Sequence, residues 1–191
     1  GDLAGVQRAV QNDPALLNAT VTTNEYTPLM FALRPETGGH PAIAQWLIER
    51  GAKLDVQTNG GWTALMTACR YDQPDTAHLL IERGAKLDLQ NNNGWTALMF
   101  ACRYDQPDTA HLLIERGAKL DLQNNNGWTA LMFACRYDQP DTAHLLIERG
   151  AKLDLQQNYG MTALMEACCP PDESHHTTAG LLRSLKLCYA A

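Results

Sequence analysis

A 33-residue segment occurs three times in succession with almost no change, and this repetition constrains the fold more than any other feature. Residues 95–127 read WTALMFACRYDQPDTAHLLIERGAKLDLQNNNG. Residues 62–94 differ from them at one position, where Thr67 replaces Phe100, and residues 128–160 differ at two. Near-identity at a fixed period is typical of stacked repeats, in which each unit buries its apolar face against its neighbours. The 191 residues are therefore expected to form one continuous stack rather than two domains.

Each unit is predicted to contain two helices, joined by a turn and followed by a polar loop. Residues 97–102 form a short apolar run directly after Thr96. Pro107 suits the first turn of a second helix, where no amide donor is needed. Gly117 suits the left-handed cap that ends that helix. Residues 118–127 are polar and rich in turn formers, which indicates a projecting loop.

The flanking segments follow the same pattern less regularly. Residues 1–21 read as half a repeat, so the chain is expected to begin in mid-repeat. The predicted domain covers residues 1–191, with full repeats at 22–57, 58–90, 91–123 and 124–156 and a C-terminal capping repeat at 157–191. In the first full repeat, six residues separate Arg34 from Pro41 where three separate Arg70 from Pro74, which predicts a longer loop between its helices.

The start of each unit resembles the T-P-L-H-x-A pattern that heads an ankyrin repeat. TALMFA at 96–101 and TPLM at 27–30 carry the resemblance, and GAKLDLQ is similar to the G-A-D-V-N-A that closes such a repeat. The resemblance covers essentially the whole chain. It implies an all-α ankyrin-repeat solenoid of stacked helix–turn–helix units with projecting β-hairpin-like loops. Methionine replaces the usual histidine, as at Met99, so the hydrogen bonds that histidine makes between repeats are expected to be missing. Asp105-Gln106 replaces the usual Gly-His.

The family resemblance also implies a function. Ankyrin proteins are similar in binding proteins through the loop tips and the exposed side of the first helix, so a non-catalytic protein–protein interaction module for a protein or extended peptide is expected. The corresponding positions, called the ladder below, are Trp62, Arg70, Tyr71, Asn92, Asn93, Trp95, Arg103, Tyr104, Asn125, Trp128, Arg136 and Tyr137. Trp, Tyr and Arg are the residue types most enriched at binding hot spots. Alternatively, Trp95 packs against a neighbouring loop and Tyr104 covers a helix end.

Two other functional readings remain open. The identical units could serve stability in an engineered or recently duplicated scaffold, because copied residues count as one observation and not three. The chain could also be the targeting part of an enzyme. If the ladder does bind, its ligand is expected to repeat about every 10 Å, which is three residues of extended or polyproline chain.

No catalytic or metal-binding pattern is present. The sequence has no phosphate loop, nucleophile elbow or paired carboxylates, so neither an enzyme nor a cofactor is expected. His78, His111 and His144 recur one repeat apart, too far to share an ion, and are expected to be exposed. Cys168-Cys169 with His175-His176 matches no zinc template, so no metal is predicted.

The net charge and the spacing of the cysteines limit which classes of partner and which cellular compartment are expected. A net charge of −6 and a pI near 5.4 argue against nucleic acid, and no apolar run approaches the roughly 18 residues of a membrane span. A monomer is expected. Cys69, Cys102, Cys135 and Cys168 are separated by stacking steps of about 8–10 Å, too far for disulfides. The cysteines are therefore expected to be buried thiols in a reducing compartment. The expected compartment is the cytoplasm, with the nucleus as an alternative.

Overall fold

The computed structural model describes residues 2–20, 24–37 and 39–168, and this part of the chain is helical. Short 3-10 helices occupy Pro14–Asn18 and Pro35–Thr37. The α-helices are α1 (Leu3–Asn12), α2 (Pro28–Ala32), α3 (Pro41–Glu49), α4 (Ala64–Arg70), α5 (Pro74–Glu82), α6 (Ala97–Arg103), α7 (Pro107–Glu115), α8 (Ala130–Arg136), α9 (Pro140–Glu148) and α10 (Ala163–Cys168). The even-numbered helices pack side by side in one layer and the odd-numbered helices in a second. The predicted all-α stack of paired helices is confirmed.

The local signals of the central unit act as the sequence predicts. The Thr96 hydroxyl caps α6 by accepting a hydrogen bond from the Met99 amide at 3.2 Å. Pro107 opens α7, and Gly117 follows its end with a φ of 83°. The amide of Ala118 then donates to the Leu113 carbonyl at 3.0 Å, which satisfies a carbonyl that the helix end would leave unpaired. Helix α6 runs one residue beyond the predicted apolar run.

The core is continuous because each unit is buried by the next. Leu98 and Met99 from α6, and Leu113 from α7, are almost completely buried. Fully burying such a side chain is worth about 1.5–3 kcal/mol. Met99 therefore adds apolar packing at the position where the family resemblance led us to expect a missing polar contact.

Polar contacts between repeats are made instead by residues in the turns and loops. Gln106 is buried, and its Nε2 donates to the Cys69 carbonyl of the preceding repeat at 2.6 Å. Gln139 makes the same bond to Cys102. On the other side of the stack, the Asp88 carboxylate accepts from the amide of Lys119 at 2.7 Å. The glutamine bond is made at two steps of the stack and the aspartate bond at three, so they fix the register of one unit on the next.

The turn before each second helix contains a residue with left-handed backbone. Asp72, Asp105 and Asp138 have φ values of 52°, 53° and 50°. Aspartate tolerates this region better than most residues because its short side chain can hydrogen-bond locally. The Asp-Gln pair thus keeps the turn that the usual Gly-His would make, and its glutamine adds the inter-repeat bond.

The loops close as tight turns that lie directly against their neighbours. In the loop that precedes α6, the Asn91 amide donates to the Trp95 carbonyl at 3.0 Å and the Gly94 amide donates to the Asn91 carbonyl at 2.8 Å. A Cβ placed on Gly94 would lie 2.8 Å from the Asn124 Cα of the following loop. The close approach of loops therefore requires glycine.

The buried cysteines are free thiols, as predicted for three of the four repeat positions. Cys69, Cys102 and Cys135 are buried, whereas Cys168, at the end of α10, is exposed. The expectation that Cys168 is buried is therefore wrong, because no further repeat of the described chain packs over α10. Burial raises the pKa of Cys69 to about 12 and raises the pKa of Cys102 and Cys135 still further above its ordinary value.

The glycine requirement can be tested with a matched pair. Gly94→Ala and Gly117→Ala both place alanine at a positive φ, of 77° and 83°, but only Gly94 has backbone within 4 Å of the new Cβ. Gly117→Ala should lower the free energy of unfolding by about 1 kcal/mol. Gly94→Ala should lower it by about 1–3 kcal/mol more, because the neighbouring loop must shift. Urea unfolding measures both, and equal losses would contradict the contact between loops.

The buried thiols should resist alkylation. A thiol reacts as the thiolate, and a raised pKa keeps the thiol protonated at pH 8. In a variant with Cys168, Cys169 and Cys188 changed to serine, iodoacetamide should modify the folded chain at least about 100-fold more slowly than the urea-unfolded chain. Mass spectrometry counts the modified residues, and rapid modification of the folded chain would show that these cysteines are accessible.

Candidate protein-interaction surface

The ladder tryptophans belong to a continuous stack of rings. Phe100 lies between two of them, with ring centroids 4.9 Å from Trp62 and 4.9 Å from Trp95. Phe133 lies between Trp95 and Trp128, at 4.7 Å and 4.8 Å. The phenylalanines are buried and the tryptophans are half-buried. This set, Trp62, Phe100, Trp95, Phe133 and Trp128, is called the aromatic column below. It links three repeats, so Trp95 packs against phenylalanines of its own and the following repeat.

The ladder arginines lie beside the aromatic column. The guanidinium of Arg70 is 5.5 Å from the Trp62 ring centroid, and that of Arg103 is 5.7 Å from the Trp95 centroid. Nη1 of Arg70 donates to the Tyr104 hydroxyl at 3.0 Å, and Nη1 of Arg103 donates to the Tyr137 hydroxyl at 2.8 Å. Both arginines are exposed. Among the described residues, no carboxylate lies within ion-pair distance of either guanidinium, so their positive charges are not neutralised.

Arg136 differs from the other two arginines. Its Nη1 lies 3.0 Å from Oε2 of Glu166, whose side chain is only 2% exposed. Glu166 occupies the position that Phe100 and Phe133 occupy in earlier repeats. The charge of Arg136 is therefore compensated within the fold, although sequence equivalence alone would assign all three arginines the same role.

The ladder tyrosines connect successive repeats. Tyr104 is 38% exposed, and its ring centroid lies 6.3 Å from that of Phe100 at the end of α6. Tyr71 is half-buried, and its hydroxyl donates to Oε1 of Glu36 at 3.4 Å. A hydrogen bond from its own backbone, with smaller contributions from Arg34 and Tyr71, lowers the pKa of the Glu36 carboxyl. The tyrosines thus hold the arginines in place and remain accessible at their edges.

The ladder asparagines join adjacent loop tips. The Asn92 side-chain amide donates to the Asn59 carbonyl at 2.9 Å, and that of Asn125 donates to the Asn92 carbonyl at 3.0 Å. Asn93 is exposed, and its backbone amide donates to the side chain of Asn91 at 3.0 Å. Asn91 also accepts from the Trp95 amide at 3.0 Å, which fixes the start of α6. Asn91 was not among the predicted site residues, although an asparagine stands four residues before both Trp95 and Trp128.

The aromatic column ends beside a cavity. Thr67 stands where Phe100 and Phe133 stand in the next two repeats, and its hydroxyl donates to the Thr63 carbonyl at 2.8 Å. A cavity of about 240 Å³ lies there. Its lining, called the slot below, consists of Tyr26, Arg34, Trp62, Thr67, Arg70 and Tyr71. The substitution at Thr67 is visible in the sequence, but the space it leaves is not.

The histidines are less exposed than predicted. His78 and His111 are half-buried, and Nε2 of each lies 3.4 Å from a threonine hydroxyl of the next repeat, Thr109 or Thr142. They are half-buried because the second helices pack side by side, which brings the next threonine over each ring. In the described part of the chain, no three His, Cys, Asp or Glu side chains converge as a metal site would require. Cys169, His175 and His176 lie outside the described residues.

The sequence matches the family described as ankyrin repeats (three copies) over residues 1–91, 29–124, 84–157 and 117–184. The chain belongs to the ankyrin-repeat family. Ankyrin repeats generally mediate protein binding. Across residues 2–20, 24–37 and 39–168, no helix is both long and apolar enough to cross a membrane.

Three curated relatives share one segment with these ankyrin repeats. They are the NAD-capped RNA hydrolases NUDT12 of Macaca fascicularis, Pongo abelii and Homo sapiens, each 38% identical over 65 residues. That segment is 34% of this chain and 13% of each relative, so the match spans a small part of either protein.

Substitutions in the ladder should separate packing from surface contacts. Trp95→Ala should lower the free energy of unfolding by about 2–4 kcal/mol, because it removes two ring contacts from the aromatic column. Arg103→Gln and Tyr137→Phe should each lower it by about 1 kcal/mol or less, because the bond between these side chains is solvent-accessible. Thermal and urea unfolding measure the losses. A small effect of Trp95→Ala would show that the stack contributes little.

Proposed function

We propose that the ladder face is a non-catalytic interaction surface for an extended, acidic segment of a partner protein. The observation that carries the proposal is the uncompensated charge of Arg70 and Arg103. Each guanidinium is exposed, hydrogen-bonded to a neutral hydroxyl and positioned beside a tryptophan ring. Arginine held in this way is preorganised to bind a carboxylate through two parallel hydrogen bonds. The bound tyrosine hydroxyl reduces the entropy that the arginine loses on binding.

The repeat spacing supports an extended ligand. Arg70 and Arg103 are equivalent residues of neighbouring units, so one stacking step of about 8–10 Å separates them. Three residues of an extended chain span about 10 Å. Acidic residues three apart in the partner would therefore meet successive arginines, with the residues between them over the aromatic column.

The hydrolase relatives do not assign an activity to this chain. The shared segment is 13% of their length, too little to carry their activity over to this chain. A place as the interaction part of a larger protein is compatible with the proposed surface. Cys69, Cys102 and Cys135 are buried free thiols, which supports a reducing compartment, the cytoplasm or the nucleus.

A second candidate function is structural. The aromatic column and the bonds from Gln106 and Asp88 show that the repeated residues also connect units. A scaffold whose identical units serve stability would use all of them. That reading leaves the uncompensated charge of the arginines unexplained, because their exposed hydrogen bonds to tyrosine contribute about 1 kcal/mol or less to stability.

A peptide-display selection tests the interaction proposal. Peptides selected on the immobilised chain should be enriched in Asp and Glu at three-residue spacing. Arg70→Gln combined with Arg103→Gln should weaken their binding about five- to thirtyfold, and raising the salt concentration should weaken binding to the unmodified chain. Fluorescence anisotropy of a labelled peptide gives the Kd values.

A matched pair of arginines provides the control. Arg83 and Arg116 are exposed in the same two repeats, directly after α5 and α7. Arg83→Gln combined with Arg116→Gln removes the same net charge from a different surface and should leave binding nearly unchanged. Equal losses of affinity in the two double variants would show that binding depends only on net charge and not on the ladder arginines. Selection of no peptide would favour the structural function.

A further inference from the structure

The aromatic column shows what kind of group fits between successive repeats. In two consecutive steps, a phenylalanine ring occupies the space between the tryptophan of its own repeat and the tryptophan of the preceding one. Phe100 and Phe133 lie within 5 Å of both flanking rings, at interplanar angles between 21° and 29°. Offset stacking of this kind is favourable beyond the area that it buries. Each such space is therefore shaped for one aromatic ring.

The slot is the next space of the same series. Trp62 forms one side, and Tyr26, which stands at the tryptophan position of the preceding repeat, forms the other. Thr67 lies at the ring position between them, and its shorter side chain leaves the cavity of about 240 Å³. The Tyr26 ring is held from behind by Phe31, at a centroid distance of 5.5 Å. Trp62 contacts Phe100 of the aromatic column, so a further aromatic ring supports each wall.

We propose that the slot binds an aromatic side chain of the partner segment, with a carboxylate next to the ring contacting Arg70. This inference rests on the proposed function, which makes the partner a protein segment. It adds the type of residue that anchors that segment. The ring enters between Tyr26 and Trp62, where Phe100 and Phe133 show in the neighbouring spaces that a benzyl group fits. The anchor is Phe or Tyr, followed or preceded by Asp or Glu.

The charges at the rim favour an acidic neighbour. Arg34 lies 3.3 Å from Glu36, and Glu36 also accepts the Tyr71 hydroxyl bond, so these groups largely compensate one another. Arg70 donates to the neutral Tyr104 hydroxyl and brings a positive charge that the described residues leave uncompensated. The rim therefore has a net positive charge. A carboxylate beside the bound ring would meet Arg70, whereas an amine would be repelled.

The floor of the slot does not require water. The Thr67 hydroxyl donates to the carbonyl of Thr63, the residue that caps α4, so its proton is already satisfied. An entering ring consequently leaves no unpaired donor on Thr67. It gains contact with the rings of Trp62 and Tyr26, beside the Arg34 guanidinium that lies 4.8 Å from the Tyr26 centroid.

The experiment uses 3-phenylpropionate, which carries a benzyl group and a carboxylate, as the probe. Titration should shift the indole N–H resonance of Trp62 in a saturable manner. Thr67→Phe places in the slot the ring that the later repeats contain, so it should weaken binding by at least about tenfold. Arg70→Gln should weaken it about two- to fivefold. Phenethylamine, which has the same ring and the opposite charge, should bind more weakly than 3-phenylpropionate.

Two further variants keep the test decisive. Thr67→Val preserves the volume of the slot and should retain binding, which separates occupation of the slot from any effect of replacing threonine. Phe100→Thr should open a second slot between Trp62 and Trp95, and the Trp95 indole resonance should then also shift on titration. Thr67→Phe should raise the melting temperature if the new ring stacks as designed, which verifies that this variant is folded.

The outcomes distinguish this inference from the proposed function. Absence of a saturable Trp62 shift, or equal binding by the chain and its Thr67→Phe variant, would overturn the slot. If acidic peptides without an aromatic residue still bind through Arg70 and Arg103, the interaction surface stands without the slot. If 3-phenylpropionate binds but no peptide does, the slot is a ring-binding site and the proposed function is wrong.

Discussion

The structure depends on one constraint, which is that no unit can bury its own apolar face. Leu98, Met99 and Leu113 are almost fully buried only because neighbouring units cover them. The contacts between units therefore join equivalent or nearby positions of successive repeats. Polar bonds obey the same rule: Asp88 reaches the next unit's Lys119, and Gln106 reaches the preceding unit's Cys69. One unit sequence is sufficient for the whole stack because the same contact geometry recurs, and stability is then a sum over nearest neighbours.

The same stacking builds the candidate binding surface. The aromatic column brings Trp62, Trp95 and Trp128 together with buried phenylalanines, so the tryptophans stabilise the fold and remain half-buried. Arg70 and Arg103 lie beside the rings of Trp62 and Trp95 and donate hydrogen bonds to tyrosines of the next repeat. Packing and the proposed recognition consequently involve adjacent groups on one face. The two ends of the column differ, because Thr67 leaves a cavity at one end and Glu166 forms an ion pair with Arg136 at the other.

Most of the helical architecture could be predicted from local signals. Thr96, Pro107 and Gly117 mark helix ends through the hydrogen bonds and backbone angles of a few adjacent residues, and such signals are readable without tertiary information. The half-buried histidines and the exposed Cys168 were predicted wrongly for the opposite reason. Their exposure depends on which neighbouring unit covers them, and a helical periodicity describes only the unit in which they occur.

The sequence by itself determined the period, the pairing of helices and the family, because each follows from repetition and short-range chemistry. It also identified the residue types of the ladder. Only the tertiary structure decided what those residues touch: that Trp95 stacks between two phenylalanines, that Arg103 meets a hydroxyl while Arg136 meets a carboxylate, and that Thr67 leaves a cavity. The residues joined by this hydrogen bond and this ion pair are 30 or more positions apart in the sequence. Whether such residues meet depends on the step from one unit to the next, which no local pattern specifies.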